Sequence, residues 1–189
     1  MRKLVVTENI TLDGVIDMKD YWFDPLNEEV DQSDITAANA EHREDADAVL
    51  LGRNTFEAFR GFWPHQTDDP TGVSGYLDAV NKYVVSGTLE NPGWENSTVL
   101  RGPLVEEVQR LKEAPGRDIV ATGSIRLVHA LISAGLVDEY RLFVFPVVVG
   151  RGARLFESAD VELELLEARP FVSGAVLLRY AVREQRGHT

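Results

Sequence analysis

Three stretches of the chain place small and cationic residues where an apolar run stops. In DAVLLGRNTFEAF (47–59) the run ends at Gly52, where a backbone can be approached closely. Arg53 follows with a planar fork that fits phosphate, and Thr55 can cap a helix or donate to the same phosphate. Taken alone, these residues favour an ordinary strand-to-helix turn with a solvated arginine. In KYVVSGTLE (82–90) the run ends in Ser86, Gly87 and Thr88, whose hydroxyls and N–H groups could hold a phosphate or could simply make a tight polar turn. In DIVATGSIRLVHAL (118–131) Thr122 precedes Gly123, which supplies a turn. Ser124 is a natural N-cap and Ile125 opens an apolar helix face. That geometry could set a pyrophosphate on a helix N-terminus or be a plain βα turn, and the stretch is not G-x-G-x-x-G. Three such ends in one parallel sheet favour a long phosphate-bearing ligand, such as a dinucleotide, lying across several strand ends. A fourth stretch, NITLDGVID (9–17), carries the turn pair Asp13-Gly14. Asp13 either faces the ligand or bonds its own backbone.

Other chemistries lack their residues. The chain has no cysteine, and His42, His65, His129 and His188 show no ligand spacing, so no metal site is expected. There is no G-x-S-x-G elbow. His129 reads as structural. The net charge of −12 repels phosphate backbones, which argues against a nucleic-acid partner and means that an anionic cofactor must be held by local groups. No run approaches the length of a membrane span, and the N-terminus is too polar for a signal peptide. With the missing cysteines this suggests a cytoplasmic protein.

The elements that must position these residues follow from apolar patterning. Length suits a single domain over 1–189. KLVVTENI, DAVLLG, KYVVS, DIVATG and EYRLFVFPVVVG read as strands. VELELLEARPF and AVLLRYAVRE read as a hairpin around Val172-Ser173-Gly174. Helices are expected over 27–44, over Thr55 to Phe59, from Leu104 to Leu111 after Pro103, and from Ile125 to Ile132, closed by Gly135. Residues 60–81, rich in turn formers, predict an irregular excursion. Tyr21, Trp22 and Phe23 form an aromatic cluster that either plugs the core or walls a ring substrate. The alternation of strands and helices implies an α/β fold with a mostly parallel central sheet and antiparallel C-terminal strands.

At TLDG, LLGRNTFE, KYVVSGTLE, ATGSIRLVHAL and GLVDEYRLFVFPVVVGRGARLF the chain resembles the dihydrofolate-reductase-like superfamily. Within it, the chain is most similar to stand-alone proteins like the C-terminal reductase domain of the bifunctional riboflavin-biosynthesis deaminase–reductase. The resemblance implies the three-layer fold of that superfamily and an NADPH-dependent reductase of a small heterocyclic or carbonyl substrate. It implies that Arg53 and Thr55, with Ser86 beside them, serve the adenosine-phosphate end. Gly123, Ser124 and Ile125 would carry the pyrophosphate near the nicotinamide ribose, and Asp13 and Gly14 would border the nicotinamide. Two departures bear on the substrate: Thr122 stands where the riboflavin reductases carry an acid, and Phe59 where they carry an aspartate. They also motivate an alternative, a non-catalytic nucleotide- or ligand-binding module. The acid that faces the pterin in dihydrofolate reductases would lie among Asp24, Glu28, Glu29, Asp31 and Asp34. Finally, the long apolar run with Pro146 inside it predicts an edge strand covered by a two-fold partner, hence a homodimer with 140–155 at its interface; coverage by the C-terminal hairpin is the competing reading.

Overall fold

Apolar runs become strands here because helices cover both faces of the sheet they form. The computed structural model describes residues 1–19, 22–24, 27, 29–157 and 159–183. It runs β1 (Leu4–Thr11), α1 (Ser33–Glu44), β2 (Ala46–Gly52), α2 (Arg53–Phe62), a 3-10 turn (Trp63–His65), α3 (Val73–Ala79), β3 (Asn81–Val85) and β4 (Ser97–Leu100). Then come α4 (Leu104–Glu113), β5 (Asp118–Ala121), α5 (Ile125–Ser133), β6 (Glu139–Phe145), β7 (Leu163–Pro170) and β8 (Val176–Val182). The eight-stranded sheet has the order β4-β3-β2-β5-β1-β6-β8-β7. Pairings from β4 to β6 are parallel, and β8 is antiparallel to both β6 and β7. This is the expected α/β class with antiparallel C-terminal strands.

Strand alternation sorts the core into two faces. Leu4, Val6 and Ile10 of β1 and Ala48 and Leu50 of β2 join Val108 and Leu111 of α4 and Leu127, Val128 and Leu131 of α5. On the other face Val49 and Leu51 meet Phe56 of α2 and Leu77 of α3, and Phe143 meets Ile35 and Ala38 of α1.

Five points need correction. The helix expected over 27–44 begins only at Ser33; the Asp31 carboxylate accepts the Ser33 N–H and turns the chain into it. The short helix at Thr55–Phe59 extends over Arg53–Phe62, and the 60–81 excursion holds the 3-10 turn and α3. Buried Trp63, Leu77 and Val80 organise that segment around Phe56, and Asp69 ties its turn by accepting N–H groups of Thr71 and Ser74. β4 was not expected: of its four residues only Leu100 is buried. Lastly, β6 is no edge. It stops at Phe145, just before Pro146, whose missing N–H cannot continue the ladder, and it lies between β1 and β8. The chain's own hairpin covers it, with Phe171 N–H bonded to the Ala175 carbonyl at 2.9 Å and Gly174 at φ +86° in the turn.

Candidate functional site

The sheet carries a notch at its centre. β5 is recessed: its last pairs are Ala121 with Val6 of β1 and with Leu50 of β2. β2 runs on beside β3 to Gly52, and β1 runs on beside β6 to Thr11. Residues 7–11 of β1 therefore extend beyond the end of β5, by roughly 15 Å at the rise of a strand. β1 connects to β2 through α1 on one face, and β5 connects to β6 through α5 on the other. Divergent crossovers of this kind make the crevice at the carboxyl ends of the strands a ligand site.

The three strand-end turns meet on one side of the notch and are hydrogen-bonded together. The Gly52 N–H donates to Ser124 Oγ at 2.9 Å, and the Ser124 N–H donates to Thr55 Oγ1 at 2.9 Å. Ser124 thus sits at the cap position of α5 but does not cap it; its hydroxyl is turned to β2 and its backbone is left-handed, φ +52°. Gly123 is left-handed too, φ +55°, and a Cβ there would stand 3.1 Å from the Thr55 methyl. Ile125 begins α5 and packs on the core. The first amides of α5 keep no helical acceptor and head the turn. Further out, Arg53 Nη1 donates to Thr88 Oγ1 at 2.7 Å, which joins the β2 and β3 turns; both residues are exposed, as is Gly87. Ser86 is buried and spends its Oγ on the N–H groups of Thr88 and Leu89, holding its own loop. Thr122 is half-buried between β5 and Gly123.

Asp13 and Gly14 lie apart from this ledge, in the turn after β1. Asp13 accepts the Thr11 hydroxyl at 2.6 Å and the Gly150 N–H at 2.8 Å. The Thr11 hydroxyl, with these amides, holds the Asp13 carboxyl below its ordinary range. Gly14, φ +85°, allows the turn, and Leu155 N–H bonds its carbonyl at 3.0 Å. The pair therefore pins the β1 turn to the loop after β6. His129 also bonds that loop, through the Arg154 carbonyl at 2.7 Å.

On the α1 side, beside the end of β6, lies a cavity of about 210 Å³ lined by Trp22, Phe23, Asp24, Phe145, Pro146 and Val147. Trp22 and Phe23 sit 5.9 Å and 4.9 Å from the Phe145 ring, so these two aromatics pack together and wall the cavity at once. Tyr21 and Glu28 lie outside the described residues. The acids expected to rival one another are now separable. Asp24 lines the cavity, whereas Asp31 serves the turn before α1 and Asp34 accepts the N–H groups of Ile35 and Val172. Phe59 packs against the core around Phe56.

One residue of the notch escaped sequence reasoning. Glu8 is in the part of β1 that outruns β5, on the α5 face with Val6 and Ile10, and is 4% exposed. Its Oε1 has no hydrogen-bond partner among the described residues, and the Gly123 N–H faces the carboxyl. Burial pushes the carboxyl well above its usual range, and Gly123 opposes only part of that shift. The available signal was an acid between the apolar residues Val6 and Ile10, which share its face of the strand. The opposite face holds a different buried set: Glu139 accepts from Arg141 at 2.8 Å and from Arg179 at 2.8 Å, and burial, which would raise its carboxyl, is outweighed by these two cations.

Known proteins resemble this chain in sequence and in fold. YyaP of Bacillus subtilis (strain 168) is 32% identical over 185 residues, 95% of this chain and 94% of its own length. A protein of riboflavin-biosynthesis type from Shewanella sp. PV-4 superposes with a TM-score of 0.76 at 21% identity, covering 96% of this chain and 99% of its own. Dihydrofolate reductase from Enterococcus faecalis, complexed with NADP(H) and RAB-propyl, superposes with a TM-score of 0.65 at 18% identity, covering 96% and 97%. The fold is thus dihydrofolate-reductase-like. Since the model of the RibD C-terminal domain matches residues 2–177, the chain belongs to that family.

Proposed function

We propose that the protein binds NADPH across the ends of β3, β2, β5 and β1 and reduces a small heterocyclic or carbonyl compound held beside β6. The observation that carries this reading is the bonded ledge Arg53–Thr88, Gly52–Ser124 and Ser124–Thr55, which joins three strand ends that could each hold phosphate. Arg53 supplies the local cation that a 2′-phosphate needs in a chain of net charge −12. The Ser124–Ile125 start of α5 presents amides to a pyrophosphate, and Gly123 leaves its approach open. Ser86, Gly87 and Thr88 shape the adenosine end, and Asp13 and Gly14 fix the turn that borders the nicotinamide. NADPH supplies the hydride; the chain binds, orients and excludes water. The Trp22, Phe23 and Phe145 rings hold a flat substrate, with Asp24 as the carboxyl beside it.

The homodimer is retained as part of this reading, but on apolar side chains of the loop after β6, such as Val148 (65% exposed) and Phe156 (39% exposed), rather than on a free strand edge. Light scattering at micromolar concentration would then report about twice the 21.1 kDa chain mass; a monomer removes this element.

The test is calorimetric titration of NADPH and NADH into the native protein and Arg53→Ala. The variant should lose about tenfold in NADPH affinity, ~1.4 kcal/mol, with NADH nearly unchanged. Equal losses would refute the role of Arg53, and absence of binding would refute the cofactor. NADPH oxidation over pterins, flavins and pyrimidines then decides catalysis. Binding without turnover favours the non-catalytic module, for which Thr122 and Phe59 already speak.

A further inference from the structure

We propose that Glu8 is the side chain that reads the carboxamide of the bound nicotinamide. This rests on the NADPH reading above and adds a residue to it. The ledge orders the ligand: Arg53 and Thr88 stand at the ends of β2 and β3, and the Gly123–Ile125 turn stands at the end of β5. Neighbouring strands are about 4.8 Å apart, so a dinucleotide running past the turn arrives next at β1. The part of β1 that outruns β5 is residues 7–11, and on the α5 face its only polar side chain is Glu8, between Val6 and Ile10.

The carboxyl has the right chemistry for an amide. Its Oε1 is buried without a partner among the described residues, a condition that costs free energy unless a ligand relieves it. Burial raises the carboxyl well above its usual range and so favours the protonated form, which offers one O–H donor and one acceptor. A primary carboxamide offers the complementary acceptor and donor, and the two can pair through two hydrogen bonds. A neutral acid also avoids repelling the pyrophosphate next to it, which a carboxylate facing the Gly123 N–H would do. Delivery of a proton to substrate is the less fitting role. The aromatic cavity lies on the α1 face, with Phe145, while Glu8 lies on the α5 face, so a nicotinamide reaching through the notch stands between Glu8 and the substrate.

The experiment measures binding, not turnover. NADP⁺, its 3-acetylpyridine analogue (which keeps the carbonyl and lacks the amide N–H groups) and 2′,5′-ADP (which lacks the nicotinamide half) are titrated into the native protein, Glu8→Gln and Glu8→Leu. Removing a buried hydrogen-bonding partner should cost Glu8→Leu about tenfold or more in NADP⁺ affinity while 2′,5′-ADP binds within about twofold of native. Glu8→Gln presents the same donor and acceptor and should stay within about threefold for NADP⁺. The native protein should prefer NADP⁺ to the acetylpyridine analogue, and Glu8→Leu should not. Native NADP⁺ affinity in Glu8→Leu overturns the proposal. So does an equal loss for 2′,5′-ADP, which would place the effect on the Gly123 turn. If 2′,5′-ADP binds and NADP⁺ binds no better, only the Glu8 assignment falls; if neither binds, the cofactor reading falls and takes this assignment with it.

Discussion

Replacing Gly123 by alanine tests the bonded ledge directly. At φ +55° an alanine pays the left-handed penalty, about 1 kcal/mol. Its Cβ would also stand 3.1 Å from the Thr55 methyl, inside the roughly 3.5–4.0 Å of an ordinary carbon contact. Thr55 cannot swing away freely, because its Oγ1 accepts the Ser124 N–H at 2.9 Å. Overpacking of this kind adds about 1 kcal/mol or more. The expected loss is thus about 2 kcal/mol, or roughly 4–8 °C in melting temperature for a chain of this size. In a Thr55→Ser background the hydroxyl remains and the methyl is gone, so the same replacement should cost only about 1 kcal/mol. Urea denaturation of the four proteins closes the cycle, with a coupling of about 1 kcal/mol between the two positions. If Gly123→Ala costs the same in both backgrounds, the close contact with Thr55 is refuted. If it costs nothing in either, the left-handed turn that places α5 over the notch is refuted as well.

Three other outcomes are expected. Arg141→Met should destabilise by about 3 kcal/mol in urea titration, because it takes one cation from Glu139, a carboxylate 1% exposed, and leaves Arg179 to compensate. His42, held down to about 4 by burial and then by Arg141 and Arg179, stays neutral in the folded chain at pH values where the unfolded chain takes up a proton. Stability should therefore fall as pH drops from about 6.5 to 4, by up to about 3 kcal/mol, and His42→Leu should remove that part of the slope in denaturation curves measured across this range. NADPH at a hundred times its dissociation constant should add about 2.7 kcal/mol, raising the melting temperature by roughly 5–11 °C in a thermal scan; no rise would contradict cofactor binding.

The strand ends were legible because a glycine after an apolar run has few other reasons to be there, as at Gly52 and Gly123. Their partnership was not: that Ser124 turns to Gly52 and Thr55, rather than capping α5, depends on β5 lying beside β2, which no local pattern states. β4 was missed because Ser97 and Thr98 dilute its apolar signal, and α3 because Gly72 precedes it and Gly75 lies within it while burial of Leu77 decides it. The β6 run was misread as an edge, since a run of that length says how much must be covered but not by what; here β1 and β8 do it. Glu8 sits between Thr7 and Asn9, so nothing local sets it apart. Only the central place of β1 makes a mid-strand acid exceptional.

The sheet order also bears on how the chain comes to be folded. β1 is synthesised first, yet its neighbours are β5 and β6: Leu4 pairs with Ile119 and Val5 with Glu139. More than a hundred residues must leave the ribosome before this strand has a partner on either side, and loop closure over such separations is slow. Until then its apolar side chains stay open to other chains, so the yield of active protein should depend on chaperone supply and growth temperature more steeply than its final stability would suggest. A nascent chain halted before residue 118 has β1 but neither of the strands that flank it.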